Sequence, residues 1–268
     1  FVNEQGDWLD LAQLKNISSD IAPTAGQMPR ALGLAFASKA FRKINELHNL
    51  TNLSNNGNEV CFCTIGDAST SEGHFWETIN AAGVLQVPLA VFVWDDGYGI
   101  SVPKKYQTTK SSVSDALKGF QKKEDTNGID IYKLKGWDYA GMCEILEPAI
   151  QKIRDTHTPA IFHVEEITQP QGHSTSGSHE RYKTPERLEW EKEWDGLKQM
   201  REWIIANALA DEEELIKIEA DASLLVKESK QKAWTRYIEP VKALVAEAIE
   251  KLSALQYNAA VKKLTDEL

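Results

Sequence analysis

Asp67 and the pair Asp95-Asp96 stand at the ends of two short apolar runs, Val60–Ile65 (with Gly66 between) and Leu89–Trp94, and that placement gives them a chemistry. If the runs are neighbouring parallel strands, their carboxyl ends share one edge of a sheet, where open α/β sheets bind ligands. Carboxylates gathered there repel one another unless a cation lies between them. Mg²⁺ suits such a place, because it takes one or two carboxylates and completes its shell with water and phosphate oxygens. Ser69-Thr70-Ser71-Glu72 fits a capping box, which would set the free N–H groups of a helix start beside a phosphate. The same residues also read as a plain turn after one strand and a plain Asp-Asp-Gly loop after the other. Neither GxGxxG nor GxxxxGK(S/T) occurs, so the Rossmann dinucleotide and P-loop readings lack their phosphate loops.

The elements that must position these acids follow from hydrophobic periodicity. Apolar residues recur at close to helical spacing from Gln27 to Leu47, and Asn55-Asn56-Gly57-Asn58 is a strong turn signal. The run from Val60 reads as a buried strand, residues 71–85 as a helix, and Leu89–Trp94 as a second strand. Residues 129–134 read as a third strand, 139–155 as a helix and 160–164 as a fourth strand. Strands alternating with helices predict an α/β fold, a parallel sheet flanked by helices. After about Pro185 the chain turns charge-rich and only helical spacing remains, as at Ile238, Val241, Val245 and Ile249. The expected organisation is an α/β domain over 1–185, truncated at its N-terminus, and an all-helical C-terminal extension over 186–268. That extension is expected to pack against a partner rather than to carry catalysis.

Composition bounds the function. The 268 residues carry 30 basic and 40 acidic side chains, a formal net charge of −10. That excludes a basic nucleic-acid footprint and an electrostatic grip on anionic membranes. No apolar run approaches the roughly 18 residues of a spanning helix. Cys61, Cys63 and Cys143 are too few for a disulfide framework and point to a reducing compartment, so the expected location is the cytoplasm. Cys61 and Cys63 project to one face of a strand and read as core packing, since no second ligand pair follows. His163, inside the fourth strand, reads as a satisfied core histidine.

Four blocks carry a resemblance. Gly66-Asp67-Ala68, then 26 residues, then Asp95-Asp96 is similar to the thiamine diphosphate motif, usually Gly-Asp-Gly followed by Asn-Asn. Gly66 to Gly73, Asp96 to Pro103, Gln27 to Ala35, and Gly172-His173-Ser174-Thr175-Ser176 resemble the α subunit of 2-oxo acid dehydrogenases over roughly residues 20–195. The resemblance implies thiamine diphosphate and Mg²⁺ as cofactors. Asp67 and Asp96 would hold the metal by side chain and Tyr98 through its backbone carbonyl. Gly66, Ala68 and Ser69 would lie along the diphosphate, and Thr24 would approach the aminopyrimidine. Gln27 and Ile100 would complete the cofactor contacts, and His173 would be the catalytic loop histidine beside the cofactor.

The implied reaction is decarboxylation of a 2-oxo acid, branched-chain or pyruvate, and acylation of a lipoyl group on an acyltransferase component. The cofactor does the carbon chemistry, while the protein binds, orients and excludes water. A β-type subunit or domain would supply the rest of the active site, in a heterotetramer or a homodimer of a fused chain. Ser174, Ser176 and Ser178 resemble positions that are phosphorylated in some relatives.

Departures from the pattern are Ala68 for glycine, Asp95-Asp96 for Asn-Asn, and Trp94 and Gln169 where relatives often have arginines. Lys104, Lys105 or Arg181 would have to compensate for the lost arginines. These departures leave a non-catalytic cofactor-binding or assembly module as the alternative, beside a transketolase-type thiamine enzyme.

Overall fold

In the computed structural model, residues 3–7, 9, 21–173 and 178–253 are described. The central sheet is built from four strands, β1 (Cys61–Gly66), β2 (Leu89–Trp94), β5 (Asp130–Lys135) and β6 (Ala160–Glu165), in the order β1-β2-β6-β5. All its pairings are parallel. A separate two-residue hairpin, β3 (Tyr98–Gly99) and β4 (Val102–Pro103), lies in the loop after β2. The helices are α1 (Gln27–Lys43), α2 (Gly73–Leu85), α3 (Val113–Ala116), α4 (Tyr139–Thr156), α5 (Pro185–Glu193), α6 (Gly196–Ala206) and α7 (Glu212–Ser253).

Periodicity explains which faces meet. In α1 the buried residues Met28, Ala31, Ala35 and Ser38 fall at spacings of three and four, so one stripe faces the sheet. It meets Cys63, Ile65, Val91 and Val93 together with Phe75, Ile79 and Ala82 of α2. The opposite face is covered by α4, whose Met142, Leu146, Ala149 and Ile153 repeat the same spacing against Phe162, Val164 and Leu134. Across this face runs an aromatic row. Phe92, Phe162 and Tyr132 are direct cross-strand neighbours, with ring centroids 4.8 and 5.1 Å apart, and Phe62, whose register partner is Ala90, stacks diagonally on Phe92 at 6.1 Å. Asp138 starts α4 by accepting the N–H of Gly141.

Two local expectations are corrected. Helix α1 ends at Lys43 rather than Leu47, because Ile44 is extended and Asn45–Leu47 forms a separate 3-10 turn. The capping box does not form. Residues Ala68–Ser71 make a 3-10 turn closed by Thr70 Oγ1 donating to the Asp67 carbonyl at 2.6 Å, and α2 begins at Gly73 with no side-chain cap.

The chain divides into two compact units, Phe1–Glu202 and Trp203–Leu268. Helix α5 thus stays with the sheet unit. The second unit is dominated by α7, 42 residues long, whose Leu224, Trp234, Tyr237 and Leu244 are exposed. No described helix is long and apolar enough to cross a membrane.

Candidate functional site

The register of the sheet brings the two acidic ends together. Gly66 pairs with Trp94, and the Asp67 N–H donates to the Trp94 carbonyl at 3.1 Å. Asp67 and Asp95 are thus buried neighbours, 3% and 1% exposed. Their surroundings differ. The Asp95 carboxylate accepts from His163 Nε2 at 2.9 Å, from Lys104 Nζ at 2.8 Å and from the Gly97 N–H at 2.9 Å. His163 is held in turn by Ser114, whose Oγ lies 2.8 Å from Nδ1. By contrast, Asp67 Oδ2 is buried without a hydrogen-bond partner.

Charge follows the same division. Burial pushes the Asp67 carboxyl up to about 7, and the nearby Asp95 and Asp96 push the same way. Asp95 also suffers desolvation, but the hydrogen bonds from His163 and Lys104 outweigh it and hold the carboxyl below its ordinary value. Asp96 is raised, again by burial first, against the hydrogen bond it accepts from the Tyr98 N–H at 3.1 Å.

A divalent cation fits this arrangement. A buried carboxylate oxygen with no donor, next to a second carboxylate whose ionisation is disfavoured, is the electrostatic complement of a hard cation. Asp95 differs, since the protein already supplies donors to both of its oxygens. The donor set left at this edge is Asp67, Asp96 and the loop carbonyls after Asp96.

The other expected positions fall into place unevenly. Gly66 is the exposed last residue of β1, and Ala68 and Ser69 lie in the turn that follows. The Ala68 methyl needs the absence of one at Gly99, where an added Cβ would come within 2.8 Å of Ala68 Cβ. Gln27 opens α1 and donates through Nε2 to the Thr64 carbonyl at 3.0 Å, which fixes the helix start to the outer edge of β1. Thr24 is exposed in the turn before it. Tyr98 is half-buried in β3, whereas Ile100 is 63% exposed at the hairpin tip with φ of 57°. His173 is exposed at the last position before residues 174–177, so Ser174 and Ser176 lie outside the described residues, while Ser178 is exposed.

Of the three cations expected to replace the missing arginines, Lys104 pairs with Asp95 and also lies close enough to Asp67 to favour its ionised form, Lys105 lies 4.8 Å from the Tyr106 ring centre, and Arg181 is exposed. Two cations that the sequence reading did not single out stand at Asp96. Lys183 and Arg187 both lie close enough to favour the ionised form of Asp96, and Arg187 Nη2 donates to the Asp96 carbonyl at 2.9 Å. The signal available in the sequence was local: Thr184-Pro185 starts a helix, and Arg187 and Glu191 are spaced i,i+4. The remaining expectations for isolated residues are met. His163 is a satisfied core histidine, and Cys63 packs its sulfur 3.6 Å from that of Met28.

Residues 10–242 match the family described as dehydrogenase E1 component. The chain belongs to this family. It is 28% identical over 203 residues to the pyruvate dehydrogenase E1 component subunit alpha of Rickettsia bellii, covering 76% of this chain and 55% of that protein. It is 26% identical over 195 residues to the mitochondrial 2-oxoisovalerate dehydrogenase subunit alpha of Homo sapiens, covering 72% of this chain and 39% of that protein. The chain therefore spans about half the length, or less, of these E1 relatives. The family match runs past the sheet and into α7.

Proposed function

We propose that this chain is the α part of a 2-oxo acid dehydrogenase E1 component and binds thiamine diphosphate with Mg²⁺ at the β1–β2 edge. Asp67, Asp96 and the Tyr98 carbonyl would hold the metal, with Gly66, Ala68 and Ser69 along the diphosphate. Thr24, Gln27, Ile100 and His173 would complete the surroundings of the cofactor. The observation that carries the reading is the buried, unpartnered Oδ2 of Asp67 beside Asp96. When bound, the cofactor supplies the nucleophile and electron sink for decarboxylating the 2-oxo acid. The chain's own residues bind and orient. Asp67 and Asp96 neutralise the cation, and Asp95, locked by His163 and Lys104, holds the Gly97 N–H and so sets the loop that carries Asp96 and Tyr98.

A β-type subunit or domain would complete the active site, and a lipoyl-bearing acyltransferase component would take the acyl unit. Relatives named for pyruvate and for 2-oxoisovalerate support either substrate class. Calorimetric titration with thiamine diphosphate and Mg²⁺, in the presence of the β part, tests the reading. Tight, Mg²⁺-dependent binding that disappears in Asp67→Ala is expected. Trp94 and Gln169 in place of arginines, with Lys104 turned to Asp95, favour the second reading of a non-catalytic assembly module. Wild-type protein that binds no cofactor in this titration would establish that reading instead.

A further inference from the structure

Helix α5 and the residues just before it carry a buried ionic cluster that the reaction itself does not require. Glu191 is 2% exposed and accepts three charge-assisted hydrogen bonds. Lys183 Nζ, itself buried, donates to its two oxygens at 2.7 and 2.9 Å, and Arg187 Nε donates at 2.8 Å. The guanidinium also stacks on Trp190, 4.4 Å from the ring centre. With Nε engaged and one face covered, its free end is aimed. That end, Nη2, donates 2.9 Å to the main-chain carbonyl of Asp96, 91 residues away in sequence.

The same cluster surrounds Tyr98. Its ring lies 5.7 Å from that of Tyr182, 5.4 Å from Lys183 Nζ and 5.7 Å from the Arg187 guanidinium carbon. Two of the three expected metal ligands, Asp96 and Tyr98, are therefore fixed from outside by one cluster on α5 and the residues just before it. A buried ion cluster is weak evidence for stability, since desolvation offsets most of its Coulomb energy. Its geometric content is larger. A planar guanidinium spans two acceptors at set angles, and an ammonium cannot do so.

We propose that Arg187, held in place by Glu191 and Lys183, is a positioning residue that latches the Asp96-Gly97-Tyr98 loop in its cation-binding shape. This rests on the proposed function for the identity of the cation and cofactor. Arg187 touches neither. It acts through the Asp96 carbonyl and the Tyr98 ring, so losing it loosens the loop while the groups that meet the metal remain.

The test compares wild type, Arg187→Lys and Arg187→Gln in the full chain with its β part. The first readout is amide hydrogen exchange without cofactor. Exchange at Gly97 and Tyr98, whose N–H groups bond to Asp95 and Asp96, is expected to rise about tenfold in both variants, with β6 unchanged. The second is Mn²⁺ binding with thiamine diphosphate, followed by the resonance signal of free Mn²⁺. The dissociation constant is expected to rise about tenfold in both variants, while turnover at saturating cofactor stays within about twofold of wild type.

Wild-type exchange and affinity in Arg187→Gln would overturn the latch. Full rescue of both by Arg187→Lys would also overturn it, because charge alone would then suffice. If Arg187→Gln fails to fold, Arg187→Lys decides the matter, since it keeps a cation beside Glu191. A wild-type complex that binds no Mn²⁺ with the cofactor would refute the proposed function, and the exchange readout would then judge the hold on the loop separately.

Discussion

Asp67 and Asp95 end adjacent strands of one sheet, are both buried, and are chemically opposite. Asp95 is a finished structural element: His163, Lys104 and the Gly97 N–H occupy its oxygens, and its carboxyl is held below the ordinary range. Asp67 is unfinished, with one oxygen buried and unpartnered and its carboxyl raised to about 7 by burial and by its acidic neighbours. A protein tolerates the second condition where a ligand supplies what the fold withholds. The difference separates a carboxylate that the fold has fully engaged from one that, on the proposed function, would meet a cation.

The largest expected effect comes from removing the unfinished charge. Asp67→Asn should abolish Mg²⁺-dependent cofactor binding, by about 100-fold or more in calorimetry, and yet raise the melting temperature of the cofactor-free protein at pH 8. The sign follows from linkage. A carboxyl whose folded pKa lies above its unfolded value binds its proton more tightly in the native state. The cofactor-free protein therefore loses this stability as pH climbs from the ordinary carboxylate value of 3.8 towards about 7. Asp67→Asn should flatten that slope. A variant that binds cofactor normally, or that melts lower at pH 8, would break the contrast.

Asp95→Asn should do the reverse. It leaves Lys104 and His163 facing an amide, and breaking a buried pair costs about 3–5 kcal/mol. Because Lys104 retains 30% exposure, a loss of about 2–3 kcal/mol is expected from denaturant unfolding. Asp95 contributes its stability above the unfolded carboxyl pKa and loses it as pH falls through the lowered folded value. Below the ordinary carboxyl value of 3.8 the acid limb of the stability curve should accordingly be shallower in Asp95→Asn and unchanged in Asp67→Asn.

The fold was legible because its strands are short apolar runs. Leu89–Trp94 is read to the residue, and the other three strands begin or end within one residue of the runs 60–65, 129–134 and 160–164. Asp67 was legible for the same reason, standing one residue beyond such a run. What stayed hidden is non-local. That Asp95 is spoken for depends on β6 inserting between β2 and β5, which brings His163 across 68 residues, and no periodicity encodes that order. Arg187 sits in the charge-rich extension expected to pack against a partner, and only the fold turns it towards Asp96. The capping box failed because the turn after Asp67 closes through Thr70, a competition between local hydrogen bonds that sequence spacing leaves undecided.

The smallest effect probes how deep the finished side extends. Ser114 meets His163 Nδ1 with its hydroxyl at 2.8 Å and its backbone N–H at 3.4 Å. A backbone N–H can only donate, so Nδ1 accepts and Nε2 carries the hydrogen that reaches Asp95. Ser114→Ala removes the shorter bond and keeps the N–H, so the ring tautomer and the hold on Asp95 persist. The expected cost is about 1 kcal/mol in unfolding, the net worth of one hydrogen bond. Cofactor affinity should remain within about threefold of wild type. If Ser114→Ala instead weakened Mg²⁺-dependent binding as severely as Asp67→Asn, Asp95 would belong to the binding chemistry rather than to the scaffold, and the contrast between the two strand ends would fall.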